Sequence, residues 1–566
     1  MPVEISETGN LPMTRKFLRM DLIARFTRSL SSAGLLLGSL FFAASLAPSL
    51  IPRTFVVQGV LSGISFAAGY GLGVGARWLW IWLGLPLPRA RTATIWLIGA
   101  SAVCIAIIGG VLWRASEWHD SVRQVMGMDP VQGSRPLEIA AIATAVFAAI
   151  ILLARVFGLL RRALAGWLSR HVPPRVSNIV GVAIAVVLTW TLVNGVLLRF
   201  ALHTLDGSYQ QLDELVESEV ERPRDPLRTG SNASLIAWEG MGRRGREYVN
   251  ATPSREEISA FLGVEAAQPV RVYVGLNSGE TVEERARLAL EELVRVGGFE
   301  RAVLLIATPT GTGWLDPNAI ETLEYLHRGD VATVSMQYSY LASHLALLIE
   351  PGYGAESARA LFREVYGYWT QLPREERPRL YLHGVSLGAM NSDLSSDLWD
   401  IIADPFHGAL WAGPPFGSPT WRSVTEERVP GSHFWLPRFR DGSIVRFFNQ
   451  DGPAEGEPEP WGPVRIVYLQ YASDPIPFFD SRAAWREPQW MAGERGPDVS
   501  PMLRWFPVVT LFHLMVDVAM ANHTPIGFGH TYAPDDYIDA WIAVTDPIGW
   551  NEAAVGRLKA RFSVSR

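Results

Sequence analysis

Apolar and polar positions divide this chain into two regimes. Up to about residue 200, four stretches carry no charged side chain: Ser29 to Pro52, Thr54 to Ala76, Thr92 to Trp113 and Val176 to Leu198. Each runs 22 to 24 residues, and about 20 apolar residues in a helix cross a bilayer core about 30 Å thick. A further stretch, Leu137 to Leu160, has Glu138 and Arg155 near its ends, where long side chains reach the interface. The pattern predicts five spanning helices within 29–200. A cleaved signal peptide does not account for the first run, which exceeds a typical apolar signal core and is followed by four more.

From residue 201 to about 250 the composition turns polar, with Arg-Pro and Asp-Pro pairs, as expected of a connector. Gln210 to Glu221 suits a short acidic helix, and Arg243, Arg244 and Arg246 read as a solvated basic cluster. Beyond residue 265, short β-rich runs alternate with helical ones. Val270 to Val274, Arg301 to Ile306, Val331 to Met336, Arg379 to His383, Ala409 to Trp411 and Arg465 to Leu469 are the expected strands. Thr281-Val-Glu-Glu284 is a capping box that opens a helix ended by Gly297 and Gly298. Asp316-Pro317 pairs an N-cap with a first-turn proline, opening a helix to about Leu326. Further helices are expected over Glu356 to Trp369 and, last, over Tyr537 to Val544. Such alternation implies a mostly parallel sheet with helices on both faces. Met502 to Met520, interrupted by Arg504, His513 and Asp517, reads as a buried or lid helix rather than a sixth span. The expected organisation is a segment at 1–28, membrane helices at 29–200, a connector at 201–250 and an α/β domain at 251–566.

Charge sets the expected orientation. Arg15, Lys16, Arg19, Arg25 and Arg28 precede the first span, Arg89 and Arg91 join the second to the third, and Arg161, Arg162, Arg170 and Arg175 join the fourth to the fifth. With five spans these segments share one side, and positive segments stay cytoplasmic. The N-terminus is then inside and the α/β domain outside the cytoplasm, at a cell (inner) membrane. Composition agrees: of 566 residues 48% are hydrophobic and only 19% charged. A net charge of -6 offers no basic excess for phosphates, which argues against nucleic-acid binding. The one cysteine, Cys104, lies in the third span, leaving the exported part free of thiols.

Candidate chemistry centres on Gly384-Val-Ser386-Leu-Gly388, directly after the strand Arg379 to His383. A serine that attacks a carbonyl stands on a tight turn with its oxygen exposed, and flanking glycines let strand and helix approach closely. The pentapeptide alone is a weak signal; its strand-turn-helix context strengthens it. A hydroxyl needs a base, and the base needs an acid to hold it. On this architecture they follow in the order Ser, acid, His. Asp474 lies just past the strand Arg465 to Leu469, where open α/β sheets build their sites, and Asp480 competes with it. Among histidines, His530 in a glycine-bearing loop leads, with His523 as the second candidate; His513 falls in an apolar stretch where a packed histidine is the default. Oxyanion donors are expected from the amide of Leu387 and from the loop Thr308 to Trp314, at Thr310 or Gly311. This chemistry calls for no cofactor and no metal.

The chain resembles the bacterial membrane-anchored α/β-hydrolase family, which pairs a multi-span N-terminal region with a C-terminal catalytic domain. The resemblance rests on Ala307-Thr-Pro-Thr-Gly-Thr-Gly-Trp314-Leu-Asp-Pro317, Met336-Gln-Tyr-Ser-Tyr-Leu341, Gly384-Val-Ser-Leu-Gly388 and Ala409-Leu-Trp-Ala-Gly-Pro-Pro415. It continues through Tyr468-Leu-Gln-Tyr-Ala-Ser-Asp-Pro475, Arg495-Gly-Pro-Asp-Val-Ser-Pro501, Gly529-His-Thr-Tyr532 and, in the membrane part, Ala47-Pro-Ser-Leu-Ile-Pro52. Val385 stands where related members are expected to carry an acidic residue, and Gly527-Phe-Gly529 replaces a more usual Gly-His-Gly; neither change removes a reacting group. The resemblance implies Ser386, Asp474 and His530 as a catalytic triad. The resulting expectation is a serine hydrolase on a membrane anchor, acting on an ester of a lipid or envelope component, with the bilayer and that ester as its partners. An acyltransferase using the same triad, or a non-enzymatic scaffold on a hydrolase fold, remain the alternatives. Met502 to Met520 and Pro475-Ile-Pro-Phe-Phe479 would suit an apolar acyl pocket.

Overall fold

The computed structural model describes residues 30–86, 90–130, 135–170, 220–340, 352–456 and 459–564, with isolated positions at 173, 180 and 183–184. Its N-terminal part is helical: α1 (Ser32–Ser45), α2 (Phe55–Trp82), α3 (Ala90–Val125) and α4 (Pro136–Leu168). Among the described residues, three helices are long and apolar enough to cross a membrane: α2, the part of α3 from Ile98, and α4. Of the five expected spans, the first differs. Its 24-residue apolar run is helical over only 14 residues. Proline at 48 and 52 stops the helix, and the chain after it is used for docking. The fifth run, Val176 to Leu198, and the expected helix at Gln210 to Glu221 lie largely or wholly outside the described residues.

The second part holds one eight-stranded sheet: β1 (Val270–Val274), β2 (Val303–Thr308), β3 (Val331–Met336), β4 (Arg379–Val385), β5 (Gly408–Ala412), β6 (Val445–Asn449), β7 (Gly452–Pro453) and β8 (Arg465–Leu469). The spatial order is β1-β3-β2-β4-β5-β8-β6-β7. Every described pairing is parallel except the short β6–β7 hairpin. β2 and β3 are buried along their whole length, as expected of strands covered on both faces. The covering helices include α5 (Val282–Arg295), α6 (Pro317–Leu326), α7 (Tyr353–Gln371) and α8 (Leu387–Asp393). Others are α9 (Val509–Ala519), α10 (Pro534–Thr545) and α11 (Glu552–Val564). The capping box of α5 is present: the Thr281 hydroxyl accepts the Glu284 amide while the Glu284 carboxylate accepts the amide of Thr281. Asp316 caps α6 with Pro317 in the first turn. β6, inserted between β8 and β7, and α11 are additions to the elements expected from the sequence.

The stretch 236–249 packs onto the sheet domain, with Ile236, Trp238, Met241 and Val249 in its core. Arg243 and Arg244 of the basic cluster pair with Glu247, whereas Arg246 is buried.

The two parts share an interface. Leu50 and Ile51, in the turn after α1, belong to the same hydrophobic core as the sheet. α9, 11 residues long and too short to span, packs against α1 and α2. Its Asp517 accepts hydrogen bonds from the Ser49 hydroxyl and the Leu50 amide, and pairs with Arg53 at 3.3 Å. Both side chains of this ion pair are almost wholly buried. His513, one turn earlier, lies 3.1 Å from the Ser45 carbonyl. At the end of α3, Ser121 Oγ meets Ser500 Oγ at 2.7 Å. The run Met502 to Met520 is thus a docking element between the helices and the sheet domain.

Candidate active site

β4 runs straight into Ser386, whose backbone sits at φ 57° and ψ −128° before α8 begins. A side-chain-bearing residue at positive φ is strained by about 1–3 kcal/mol, a conformation kept where function over-determines it. The turn closes because the glycines on either side have no side chain. A methyl at Gly384 would lie 2.3 Å from the Gly388 backbone, and one at Gly388 would lie 2.3 Å from the carbonyl oxygen of Thr308. The Ser386 amide is held by the Ala412 carbonyl at 2.9 Å, which fixes the turn to the end of β5.

Asp474 follows β8 and caps the one-turn helix Pro475–Phe478. Its side chain is fully buried and both oxygens accept hydrogen bonds. Oδ1 accepts the Ile476 amide at 2.9 Å, while Oδ2 accepts His530 Nδ1–H at 2.7 Å and the Tyr532 hydroxyl at 2.6 Å. With Nδ1 carrying the proton, Nε2 is left with a lone pair. That atom is buried and makes no hydrogen bond with any described residue. Burial, together with the negative charge of Asp474, pushes the Tyr532 phenol well above its ordinary range, so it remains a donor to the carboxylate.

The loop bearing His530 is tied down on both sides. The His530 amide donates to the Ala521 carbonyl, the Gly527 amide to the Thr531 carbonyl, and the Gly529 amide to the Ser473 hydroxyl. Gly413, at φ 50°, lies where the serine and imidazole sides of the site meet. Its neighbour Ala412 holds Ser386. A methyl on Gly413 itself would stand 2.5 Å from His530 Cε1, 2.6 Å from Tyr532 Oη and 2.8 Å from Asp474 Oδ2. Only a residue without a side chain lets the imidazole approach this backbone.

The competing candidates lie elsewhere. Asp480 accepts from the Arg482 amide and its Nε. His523 is solvent-exposed, and His513 is buried against α1. Leu387 opens α8, where a first-turn amide has no partner within the helix. In the glycine loop the Thr310 amide donates to the Trp314 carbonyl at 2.9 Å, which turns it away from an oxyanion role. Gly311, next in the loop, is buried. Asp316 lies close enough to interact with His530 electrostatically; burial pushes its carboxyl up to about 6, opposed by hydrogen bonds from the Asn318 amide and the Tyr537 hydroxyl. Tyr532 is a residue of this site that residue type and spacing do not single out; in the sequence it is marked only by its hydroxyl two positions past His530 in Gly529-His-Thr-Tyr532.

Chemically, the arrangement offers a strained serine on an elbow and an imidazole oriented by a buried carboxylate. Comparison with known proteins bears on the family of the chain. Residues 270–558 match the alpha/beta-hydrolase family and residues 46–253 match the alpha/beta-hydrolase family N-terminus. One solved structure, described as belonging to work on "LipS and LipT, two metagenome-derived lipolytic enzymes", is 17% identical, covering 29% of this chain and 60% of that chain with a TM-score of 0.14. This chain thus spans less than two thirds of that structure's length. No curated protein matches it. The chain belongs to the alpha/beta-hydrolase family.

Proposed function

We propose that this member of the α/β-hydrolase family is a membrane-anchored serine hydrolase that cleaves acyl esters, with Ser386 as nucleophile, His530 as general base and Asp474 as the acid that orients it. The observation that carries the reading is the 2.7 Å bond from His530 to Asp474, which leaves Nε2 of a buried imidazole unbonded. In the reaction Ser386 Oγ attacks the acyl carbonyl while His530 Nε2 takes its proton. The tetrahedral oxyanion gathers against the Leu387 amide at the positive end of α8. His530 then gives the proton to the departing alcohol, and water, activated by the same imidazole, releases the acid from the acyl-enzyme.

A lipid ester is the substrate class best supported. Phe416 and Phe479 pack with ring centres 4.9 Å apart, and the Phe416 amide is bonded to the Ile476 carbonyl two residues past Asp474. Such apolar surface beside the acid loop suits an acyl chain. The anchor reading is supported by the three long apolar helices. The proposed orientation draws on two things: with α2 and α3 each crossing once, the turn before α2 and the end of α3 share one side, and both touch the sheet domain, while Arg89, Arg91, Arg161, Arg162 and Arg170 fall on the other, which the positive-inside rule assigns to the cytoplasm.

A fluorophosphonate probe tests the proposal. Labelling of the wild type that disappears in Ser386→Ala is expected; folded wild-type protein that takes no label would overturn it. A reporter active only in the cytoplasm, fused after Arg566, is expected to stay silent.

A further inference from the structure

The segment 495–501 contributes no reacting group, yet its one carboxylate, Asp498, is bonded to the Asp474 loop and, through Ser473, linked to the His530 loop. Asp498 is 2% exposed. Its Oδ2 accepts the Ser473 amide at 2.9 Å and the Ser473 hydroxyl at 2.5 Å. A hydroxyl that donates its proton in one direction keeps lone pairs for another, and here the Gly529 amide donates to Ser473 Oγ at 2.8 Å. Ser473 immediately precedes Asp474, and Gly529 immediately precedes His530. The chain Asp498–Ser473–Gly529 therefore joins the residue before the acid to the residue before the base. A second tie, from Gln450 Nε2 to the Gly527 carbonyl at 3.1 Å, holds the same loop from β6.

We infer that Asp498 is a positioning residue: by orienting the Ser473 hydroxyl it sets the separation of the Asp474 and His530 loops, and it does so without touching substrate. The inference rests on the triad reading above. Its physical basis is that the imidazole and carboxylate belong to loops 56 residues apart, so the backbone must be clamped for the side chains to stay in register. Loss of such a clamp misplaces reacting groups by fractions of an ångström to an ångström, which costs up to about 100-fold in rate. What Asp498 supplies is an acceptor oxygen rather than a charge. The groups that donate to it are neutral, the Ser473 amide and hydroxyl with the Gln450 side-chain amide beside them, and burial pushes its carboxyl up. Asparagine offers an acceptor at the same place; alanine offers none.

The test uses the full-length protein in detergent. Fluorophosphonate labelling rates, and kcat and KM on a p-nitrophenyl ester, are measured for wild type, Ser386→Ala, Ser473→Ala, Asp498→Ala and Asp498→Asn, with thermal unfolding as the check on folding. Ser473→Ala and Asp498→Ala are expected to lower kcat and labelling rate by about 10- to 100-fold with KM within about twofold. Asp498→Asn is expected to recover most of the loss suffered by Asp498→Ala. Wild-type rates in folded Ser473→Ala overturn the inference, as does a rise in KM at unchanged kcat, or an Asp498→Asn no better than Asp498→Ala. Should Asp498→Ala fail to fold, Ser473→Ala, which removes a single oxygen, decides alone. Label that persists in Ser386→Ala overturns the triad reading itself, a result separable from every outcome at 473 and 498.

Discussion

His530 Nδ1 lies 2.7 Å from Asp474 Oδ2, although 56 residues separate them. A hydrogen bond of that length to a buried carboxylate makes the imidazole and the acid one unit, which in the proposed mechanism Ser386 joins through proton transfer. Groups that act as a unit lose activity non-additively. Ser386→Ala and His530→Ala are each expected to lower kcat by roughly 10⁴- to 10⁶-fold, with the double variant little worse than either. Steady-state ester hydrolysis by the three variants checks this; losses that multiply would contradict it.

Gly413→Ala should disable the site without unfolding the protein. The added methyl would meet His530, Tyr532 and Asp474 together at under 3 Å, on a backbone at φ 50°. The imidazole, which among the described residues is hydrogen-bonded through Nδ1 alone, is the group expected to move. A fall in kcat of about 100-fold is expected from a displacement near 1 Å, read against a near-unchanged far-ultraviolet spectrum. Wild-type turnover in the folded variant would show that the base does not use this approach.

Tyr532→Phe removes one of the two donors to Asp474 Oδ2 while leaving the ring in its buried place. A hydrogen bond to a charged group contributes about 1.5–3 kcal/mol. A loss of that order in unfolding free energy is expected, with a drop in kcat near tenfold as the carboxylate gains freedom. Unfolding in denaturant and ester kinetics on one preparation separate the two effects; unaltered values in both would remove Tyr532 from the network.

Arg53 and Asp517 form an ion pair with both side chains nearly inaccessible, at the seam between the helices and the sheet domain. Breaking one partner leaves the other charge buried, so Asp517→Ala alone should destabilise by about 3–5 kcal/mol. Arg53→Met with Asp517→Leu should recover most of that loss, since an apolar pair removes both desolvation penalties. The measurement is a double-mutant cycle on thermal unfolding in detergent, and additive losses would exclude direct coupling.

Asp316 supplies a pH dependence of known sign. Burial raises its folded-state pKa to about 6, above the ordinary carboxylate value. The folded state therefore holds the proton more tightly, so the contribution to stability is complete below about pH 4 and is lost as pH rises through about 6. Asp316→Asn keeps an acceptor for the α6 cap and removes the titration. It should be more stable than wild type at pH 7.5 by about 1–3 kcal/mol, the gain closing below about pH 4. Unfolding curves across that range check the sign; an advantage that grows toward acid would contradict it.

Local periodicity carries much of the fold. Runs such as Val270 to Val274 and Val331 to Met336, and the caps at Thr281 and Asp316, are set by backbone hydrogen bonding within a few residues, and they appear in the structure with the expected bounds. The serine elbow was legible for the same reason, because a strand, a tight turn and two glycines form a local pattern. β6 was not: five residues with one charge carry too little alternation to stand out, and β8 and β7 on its flanks make it a strand.

The first apolar run is a sharper case. By composition Ser29 to Pro52 is long enough to span, but its helix stops after 14 residues, ahead of Pro48 and Pro52, and the turn that follows finds Asp517, more than 460 residues away, as partner for Ser49, Leu50 and Arg53. The choice of Asp474 over Asp480 as the partner of His530, the diversion of the Thr310 amide, and the roles of Tyr532, Ser473 and Asp498 share that character. Each depends on which side chains meet when loops from distant parts of the chain are packed together, and contacts of that kind are fixed by the burial and geometry of the whole domain, whereas residue type and spacing reach only a few turns along the backbone.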